Sequence, residues 1–134
     1  MFARSGEAGR RRPRIVIAHS NPAFTSAVDR AFRRHGWVVA TAADGPEARR
    51  LATLFPTDLV VLETERREES GWLTCAKLNL GGDRPAVVLV SRAPVEGDAE
   101  FAEFAGAVRL VTPEEGVEPL LEEAGLAAPV RQVI

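Results

Sequence analysis

The stretch DLVVLETERREES, Asp58–Ser70, changes character at Glu63. Leu59, Val60, Val61 and Leu62 form an unbroken apolar run, the pattern of a strand covered on both faces rather than one that alternates between core and water. Glu63 then opens a cluster of acids and arginines. A buried strand that delivers a carboxylate at its carboxyl tip is a common way to build a site. Whether Glu63 does chemistry, or sits in a site refitted for something else, depends on what the rest of the chain places around it.

Two periodicities alternate on either side of that run. Upstream, Ile15, Val16, Ile17 and Ala18 repeat the apolar strand pattern, and His19 and Ser20 follow. Asn21 supplies a helix cap and Pro22 takes the first helical position, where its missing N–H costs nothing. Phe24, Ala27, Val28, Ala31 and Phe32 then share one helical face, and Gly36 ends the helix. WVVATA is a second strand. Asp44, Pro46 and Glu47 start a second helix, with Ala48, Leu51, Ala52 and Phe55 as its expected buried stripe.

Downstream, a polar loop containing Glu65, Arg66, Arg67, Glu68 and Glu69 is expected to be solvated. A helix over about Ser70–Leu80 follows, with Leu73, Ala76 and Leu80 as core contacts. AVVLVS is the fourth strand, ending at Ser91. Pro94–Ala105 is expected to hold a short helix with Phe101, Ala102, Phe104 and Ala105 apolar, and AVRLV is the fifth strand. Val117, Leu120, Leu121 and Ala124 have helical spacing, while Gly116 and Pro119 predict a late or irregular start. Trp37 and Trp72 read as core or groove residues.

Strands alternating with helices predict an α/β fold with a parallel sheet and helices on both faces, whose ligands gather at the carboxyl ends of the strands. Composition agrees with an ordinary globular domain: 134 residues, 46% hydrophobic and 27% charged, with net charge −2. Cys75 is the only cysteine, so neither an internal disulfide nor a cysteine-based zinc cluster is available. No apolar run approaches the roughly 18 residues that cross a bilayer. The organisation expected is a flexible basic arm over 1–13, one domain over 14–126 and a tail over 127–134.

The order of elements, with SNPAF, AADGPEA, TDLVVLE, VVLVSRA and VRLVTP at their junctions, resembles the receiver domain of bacterial two-component response regulators. That resemblance covers Arg14 to about Gly125. It implies a flavodoxin-like, doubly wound, five-stranded (βα)5 fold. In that family the third strand ends in an aspartate that accepts a phosphoryl group from a histidine kinase. An acidic pair after the first strand holds Mg²⁺, a Ser or Thr ends the fourth strand, and a Lys before a Pro ends the fifth.

Measured against the family pattern, this chain departs at most chemical positions. Glu63 stands at the phospho-acceptor position, and His19 and Ser20 replace the acidic pair. Thr112 replaces the lysine, although Pro113 follows it. Arg109 occupies the place of the aromatic switch residue, and only Ser91 matches. Mg²⁺ wants oxygen ligands, usually with one or two carboxylates, which His19 and Ser20 do not supply. Phosphoryl transfer is mostly positioning and charge neutralisation, and losing the lysine removes a fixed cation. The departures imply a degenerate pseudo-receiver with no catalytic residue, no cofactor, and Mg²⁺ binding weak or absent.

Three function classes follow. The first is a cytoplasmic, phosphorylation-independent signalling module. It acts by contact with protein partners, or as a homodimer through the face of helix four, strand five and helix five, and a chain with no output domain would depend on such contact. Arg109 is expected outward there, near Glu96, Glu100, Glu103, Glu118 or Glu122. The second class keeps chemistry: an atypically phosphorylated receiver in a phosphorelay, or a small enzyme using Glu63 with His19. It ranks lower because no nucleophile elbow, glycine-rich phosphate loop or metal-ligand spacing is present. The third, nucleic-acid binding through Arg10, Arg11 and Arg12, ranks low because the folded part is acidic. No membrane role is expected. Glu63 itself is expected to take a hydrogen bond from Ser91 or Thr112 and to act at most as a partial mimic of a phosphorylated aspartate.

Overall fold

A computed structural model describes residues 11–82 and 84–126. Five strands, β1 (Arg14–Ala18), β2 (Val38–Thr41), β3 (Leu59–Glu63), β4 (Ala86–Val90) and β5 (Arg109–Val111), alternate with five helices. These are α1 (Pro22–Arg34), α2 (Gly45–Leu54), α3 (Gly71–Asn79), α4 (Asp98–Ala105) and α5 (Glu118–Glu123). All strand pairs are parallel and the order is β2-β1-β3-β4-β5. This is the flavodoxin-like doubly wound fold.

Every residue of β3 is buried, which explains its continuous apolar run. One face of the sheet packs α1 and α5 through Phe24, Val28, Phe32, Leu120 and Leu121 against Ile15, Ile17, Val61 and Val88. The other packs α2, α3 and α4 through Ala48, Cys75, Leu78, Ala102 and Ala105 against Val16, Val60, Leu62 and Leu89. The arrangement places β1 beside β3 at the centre, with Ala18 paired to Leu62. The chain runs one way across the sheet from β1 to β2 and the other way from β3 onward. That reversal opens a crevice at the carboxyl ends of β1 and β3.

Several sequence expectations are corrected here. Leu73 and Leu80 of the α3 region face water, Leu80 being 86% exposed, and the buried residues are Thr74, Cys75 and Leu78. The phase of α3 is set by Gly71: a Cβ there would lie 2.3 Å from the Glu63 carbonyl oxygen. With position 71 against the strand end, positions 74, 75 and 78 fall on the same face. Phe55 follows the end of α2 in extended backbone and is exposed, its ring lying beneath the Arg14 guanidinium at 4.8 Å. Of the apolar residues expected on the fourth helix, Ala102 and Ala105 are buried, while Phe101 and Phe104, for which no burial was expected, are exposed on α4. That helix starts at Asp98 rather than Pro94, because Gly97 takes φ 94°, outside the right-handed helical region. β5 is shorter than expected because the Ala107 N–H turns back to Ala102 O around Gly106, closing α4.

The α5 region begins irregularly, as Gly116 and Pro119 predict: a 3-10 turn over Pro113–Glu115 precedes the helix. Of the expected N-terminal arm, 1–10 lie outside the described residues, as does the tail 127–134. Arg11 donates to Asp58 at 3.3 Å, and Arg12 to the Gly36 carbonyl at 3.1 Å. Those two arginines are tied to the domain.

Candidate functional site

Glu63, the last residue of β3, points into the crevice beside β1 and is only 4% exposed. The loop after β1 meets it. The Ser20 N–H donates to Oε1 at 2.9 Å and the Ser20 hydroxyl to Oε2 at 3.0 Å. Arg66 Nη1 donates to Oε1 at 3.2 Å, and its Nη2 reaches the Ala43 carbonyl in the β2–α2 loop. Arg66 therefore ties the β2–α2 and β3–α3 loops together across the carboxylate. Burial pushes the Glu63 carboxyl up, but the Ser20 N–H, the neighbouring His19, the Ser20 hydroxyl and Arg66 outweigh it. The net shift is below the ordinary carboxylate value, so Glu63 is ionised at neutral pH.

His19 lies beside this carboxylate without bonding to it. Its Nε2 is 4.0 Å from Glu63 Oε2 and, among the described residues, has no hydrogen-bond partner. Nδ1 accepts the Asn21 N–H at 3.0 Å, which leaves the ring proton on Nε2. The ring packs on Phe24 with centroids 4.7 Å apart. Burial lowers its pKa below 6.5; Glu63 opposes that shift, and Arg66 and Arg92 add to it. A neutral imidazole contributes little to holding Glu63 ionised, so Ser20 and Arg66 do most of that at pH 7.

The remaining family positions do not converge on Glu63. Ser91 is buried at the end of β4, and its hydroxyl lies 3.4 Å from Glu65 Oε2. Thr112 serves the turn after β5: its N–H and hydroxyl both go to Glu115 Oε2, at 2.9 and 3.3 Å. Neither donates to Glu63, so that expectation fails. The hydroxyl on Glu63 comes from Ser20. Arg109 faces outward and pairs with Glu122 at 2.9 Å and Glu123 at 3.4 Å.

Two residues of the supposedly solvated loop were missed by sequence reasoning. Arg66 supplies the fixed positive charge that Thr112 lacks, from a different loop. Glu69 is buried and forms a second acidic centre: Arg49 spans both its oxygens at 3.2 and 3.3 Å, Lys77 reaches Oε1 at 2.8 Å, and the Thr74 hydroxyl reaches Oε2 at 2.6 Å. Burial alone would raise this carboxyl, but Lys77, Thr74 and Arg49 bring it down to about 2. The only local signal was spacing, since Arg66 stands one helical turn beyond Glu63 and Thr74 and Lys77 stand on α3.

The donor set is a poor match for a hard divalent cation. Glu63 is one carboxylate, its oxygens are already engaged by Ser20 and Arg66, and a guanidinium stands within 3.2 Å. Among the described residues no group of three or more His, Cys, Asp or Glu is arranged to hold a metal ion.

No family model matches the chain. It is 32% identical over 85 residues to the transcriptional regulatory protein PrrA of Mycobacterium tuberculosis, a match covering 63% of this chain and 36% of PrrA. The chain thus spans about a third of the curated relatives it matches. Among solved structures it superposes on the chemotaxis protein CheY4 of Vibrio cholerae with TM-score 0.76 and 15% identity, covering 87% of this chain and 99% of that one. It also resembles the receiver domain of the Saccharomyces cerevisiae response regulator Ssk1, co-crystallised with the histidine phosphotransfer signalling protein Ypd1. There the TM-score is 0.73 with 14% identity, covering 84% of this chain and 86% of that one. The chain has the fold of response-regulator receiver domains.

Proposed function

We propose that this receiver fold works as a phosphorylation-independent signalling module that acts by protein contact in the cytoplasm, and that it is not an enzyme. The observation that carries the reading is the state of Glu63. Its charge is matched by Arg66, its oxygens are occupied by Ser20, and a neutral imidazole fills the place beside it. A phosphoryl group entering there would have to displace Arg66 or Ser20, without a metal to neutralise its own charge. No helix among the described residues is long and apolar enough to cross a membrane, and the reading includes no membrane role.

The same geometry accounts for a permanently held conformation. Ser91 and Thr112 are engaged elsewhere, and Arg109 is satisfied by Glu122 and Glu123 on α5. In this reading nothing relays a change at Glu63 to the face of α4, β5 and α5, which stays available to a partner or a second copy. Because Arg109 already has two carboxylates in its own chain, a two-fold contact built on Arg109 with Glu122 would have to break these pairs first. A protein partner is favoured over a homodimer on that ground. Nucleic acid and metal are not part of the reading.

Calorimetric titration with Mg²⁺ tests the donor set. The expected affinity is about millimolar or weaker, from a single pre-engaged carboxylate. Micromolar binding lost in Glu63→Gln would contradict the reading.

A further inference from the structure

Three features stand out: the cationic cleft between the ends of α2 and α3, the His19 imidazole, and an aromatic surface on α3 and α4. The cleft encloses about 1000 Å³ and is lined by Arg11, Arg49, Lys77 and Arg84. Each of these already serves the fold, through Asp58, Glu69, Glu69 and the Asn79 carbonyl respectively. His19 belongs to the site described above.

The aromatic surface has no such internal explanation. Trp72 on α3 meets Phe101 on α4 with ring centroids 4.9 Å apart, and Phe101 stacks on Phe104 at 6.5 Å. Phe101 is 49% exposed and Phe104 is 85% exposed, so the ladder runs from a half-buried indole out into water. A Phe at that exposure gains little from folding, and contiguous exposed aromatics mark contact surfaces. Asp98, Glu100 and Glu103 belong to the same short helix, which has no basic residue. The one cation on α3 and α4, Lys77, is held by Glu69 at 2.8 Å. On its own two helices, then, the ladder is flanked by carboxylates of α4, and the single cation, Lys77, is already paired.

That charge pattern selects the occupant. A second copy would bring Glu100 and Glu103 against themselves around the two-fold axis, a like-charge contact. We propose that the α3–α4 face docks a basic amphipathic helix of a partner protein. Its apolar side would cover Trp72, Phe101 and Phe104, and flanking Lys or Arg would pair with Glu100 and Glu103 and lie over the aromatic rings. Two adjacent helices present a groove of the kind into which a third helix packs, and cations over aromatic faces add to the ion pairs. The surface is also joined to the Glu63 site. Trp72 follows Gly71, whose Cα side is pressed on the Glu63 carbonyl, so the docked helix would sit next to the loop that Arg66 straps. Docking requires no phosphoryl group, and its failure would leave the reading of Glu63 untouched.

The test uses the full chain and two labelled synthetic helices with the same leucine face, one flanked by lysines and one by glutamates. Anisotropy at about 0.15 M salt should show the lysine-flanked helix binding at least about tenfold more tightly than its counterpart. Phe104→Ser, at a position too exposed to affect folding, should weaken binding about tenfold, as loss of an aromatic anchor does. Glu100→Lys with Glu103→Lys should weaken it too. The change in tryptophan emission on binding should vanish in Trp72→Phe. Affinity unchanged by Phe104→Ser, or equal for the two helices, overturns the proposal. A wild-type dimer that Phe104→Ser converts to monomer also overturns it, by making a second copy the occupant. So does binding that appears only after residues 1–10 are removed, which would make the chain's own arm the occupant.

Discussion

Glu63 and Glu69 are both buried, both ionised and carried on the same strand-to-helix connection, yet they are built for different ends. Glu69 is surrounded by donors that belong to rigid helices: Arg49 on α2, and Thr74 and Lys77 on α3. It locks α2 to α3. Gly45, at the start of α2, makes the lock tight, since a Cβ there would lie 2.1 Å from the Thr74 hydroxyl. Glu63 is met instead by loop residues, Ser20 and Arg66, and by an imidazole that bonds to neither of its oxygens. The comparison teaches that burial and a depressed pKa do not by themselves mark a site. What separates the two is the source of the donors and the presence of an unpartnered polar atom. A structural acid is saturated from regular elements, whereas Glu63 is held by loop residues beside an imidazole nitrogen that has no partner among the described residues.

The comparison sharpens first at the two glycines beside these centres. Gly71→Ala would drive a Cβ into the Glu63 carbonyl, a backbone atom with no room to give, and α3 would have to move off the sheet. A loss of about 3 kcal/mol or more is expected by denaturant unfolding, since overpacking against backbone lies at the costly end of such changes. Gly45→Ala meets a side chain that can rotate, so it should cost less, about 1–2 kcal/mol, by turning the Thr74 hydroxyl away from Glu69. Equal losses would mean that the two contacts are equally rigid.

Next come the acids themselves. Glu69→Leu strips a buried hydroxyl of its acceptor and leaves Arg49 and Lys77 without their shared counter-charge. About 2–3 kcal/mol should be lost. Glu63→Gln keeps one oxygen to accept from the Ser20 N–H and from Arg66, and its amide can donate to the Ser20 hydroxyl, so it should cost about 1 kcal/mol or less. The reverse order would break the distinction between a structural and a site carboxylate.

Acid titration separates the regions by pH. The folded chain resists protonating His19, whose pKa lies below 6.5, while the unfolded chain takes up that proton at about 6.5. The His19 contribution is therefore complete above pH 6.5 and is lost as pH falls below it. Protonated Nδ1 would face the Asn21 N–H donor to donor, loosening the turn that caps α1. Glu69, held at about 2, contributes fully above about pH 4.5 and loses that contribution as pH falls toward 2. Stability measured between pH 7 and 5 should decline in wild type and flatten in His19→Phe, which keeps the ring against Phe24. The decline below pH 4.5 should persist in that variant and shrink in Glu69→Leu.

Much of this was readable in the sequence, and the unreadable part has a physical pattern. The apolar runs at Ile15–Ala18 and Leu59–Leu62 show the buried parallel sheet, because a strand covered on both faces leaves no alternative period. Asn21 and Asp44 mark helix starts by their capping chemistry, and both side chains accept the expected N–H groups. That Glu63 lies at a carboxyl strand end was readable from the alternation of strands and helices, while the strand order that opens the crevice beside β1 came from the structure. Helix faces were less legible: Leu73 and Leu80 are as apolar as Leu78, and only the contact of Gly71 with β3 decides the phase. Arg66 and Glu69 were read as solvated because each is fixed in part by a partner from another element. Ala43 lies in the β2–α2 loop and Arg49 on α2, and no local spacing announces either.

The central claim is that Glu63 is a held carboxylate and not a phosphoryl acceptor. The most direct measurement is intact-protein mass spectrometry after incubation with Mg²⁺ and a small acyl phosphate, on wild type and Glu63→Ala side by side. The account predicts no phosphoryl adduct on either. A stable gain of one phosphoryl group on wild type that is absent from Glu63→Ala would contradict it.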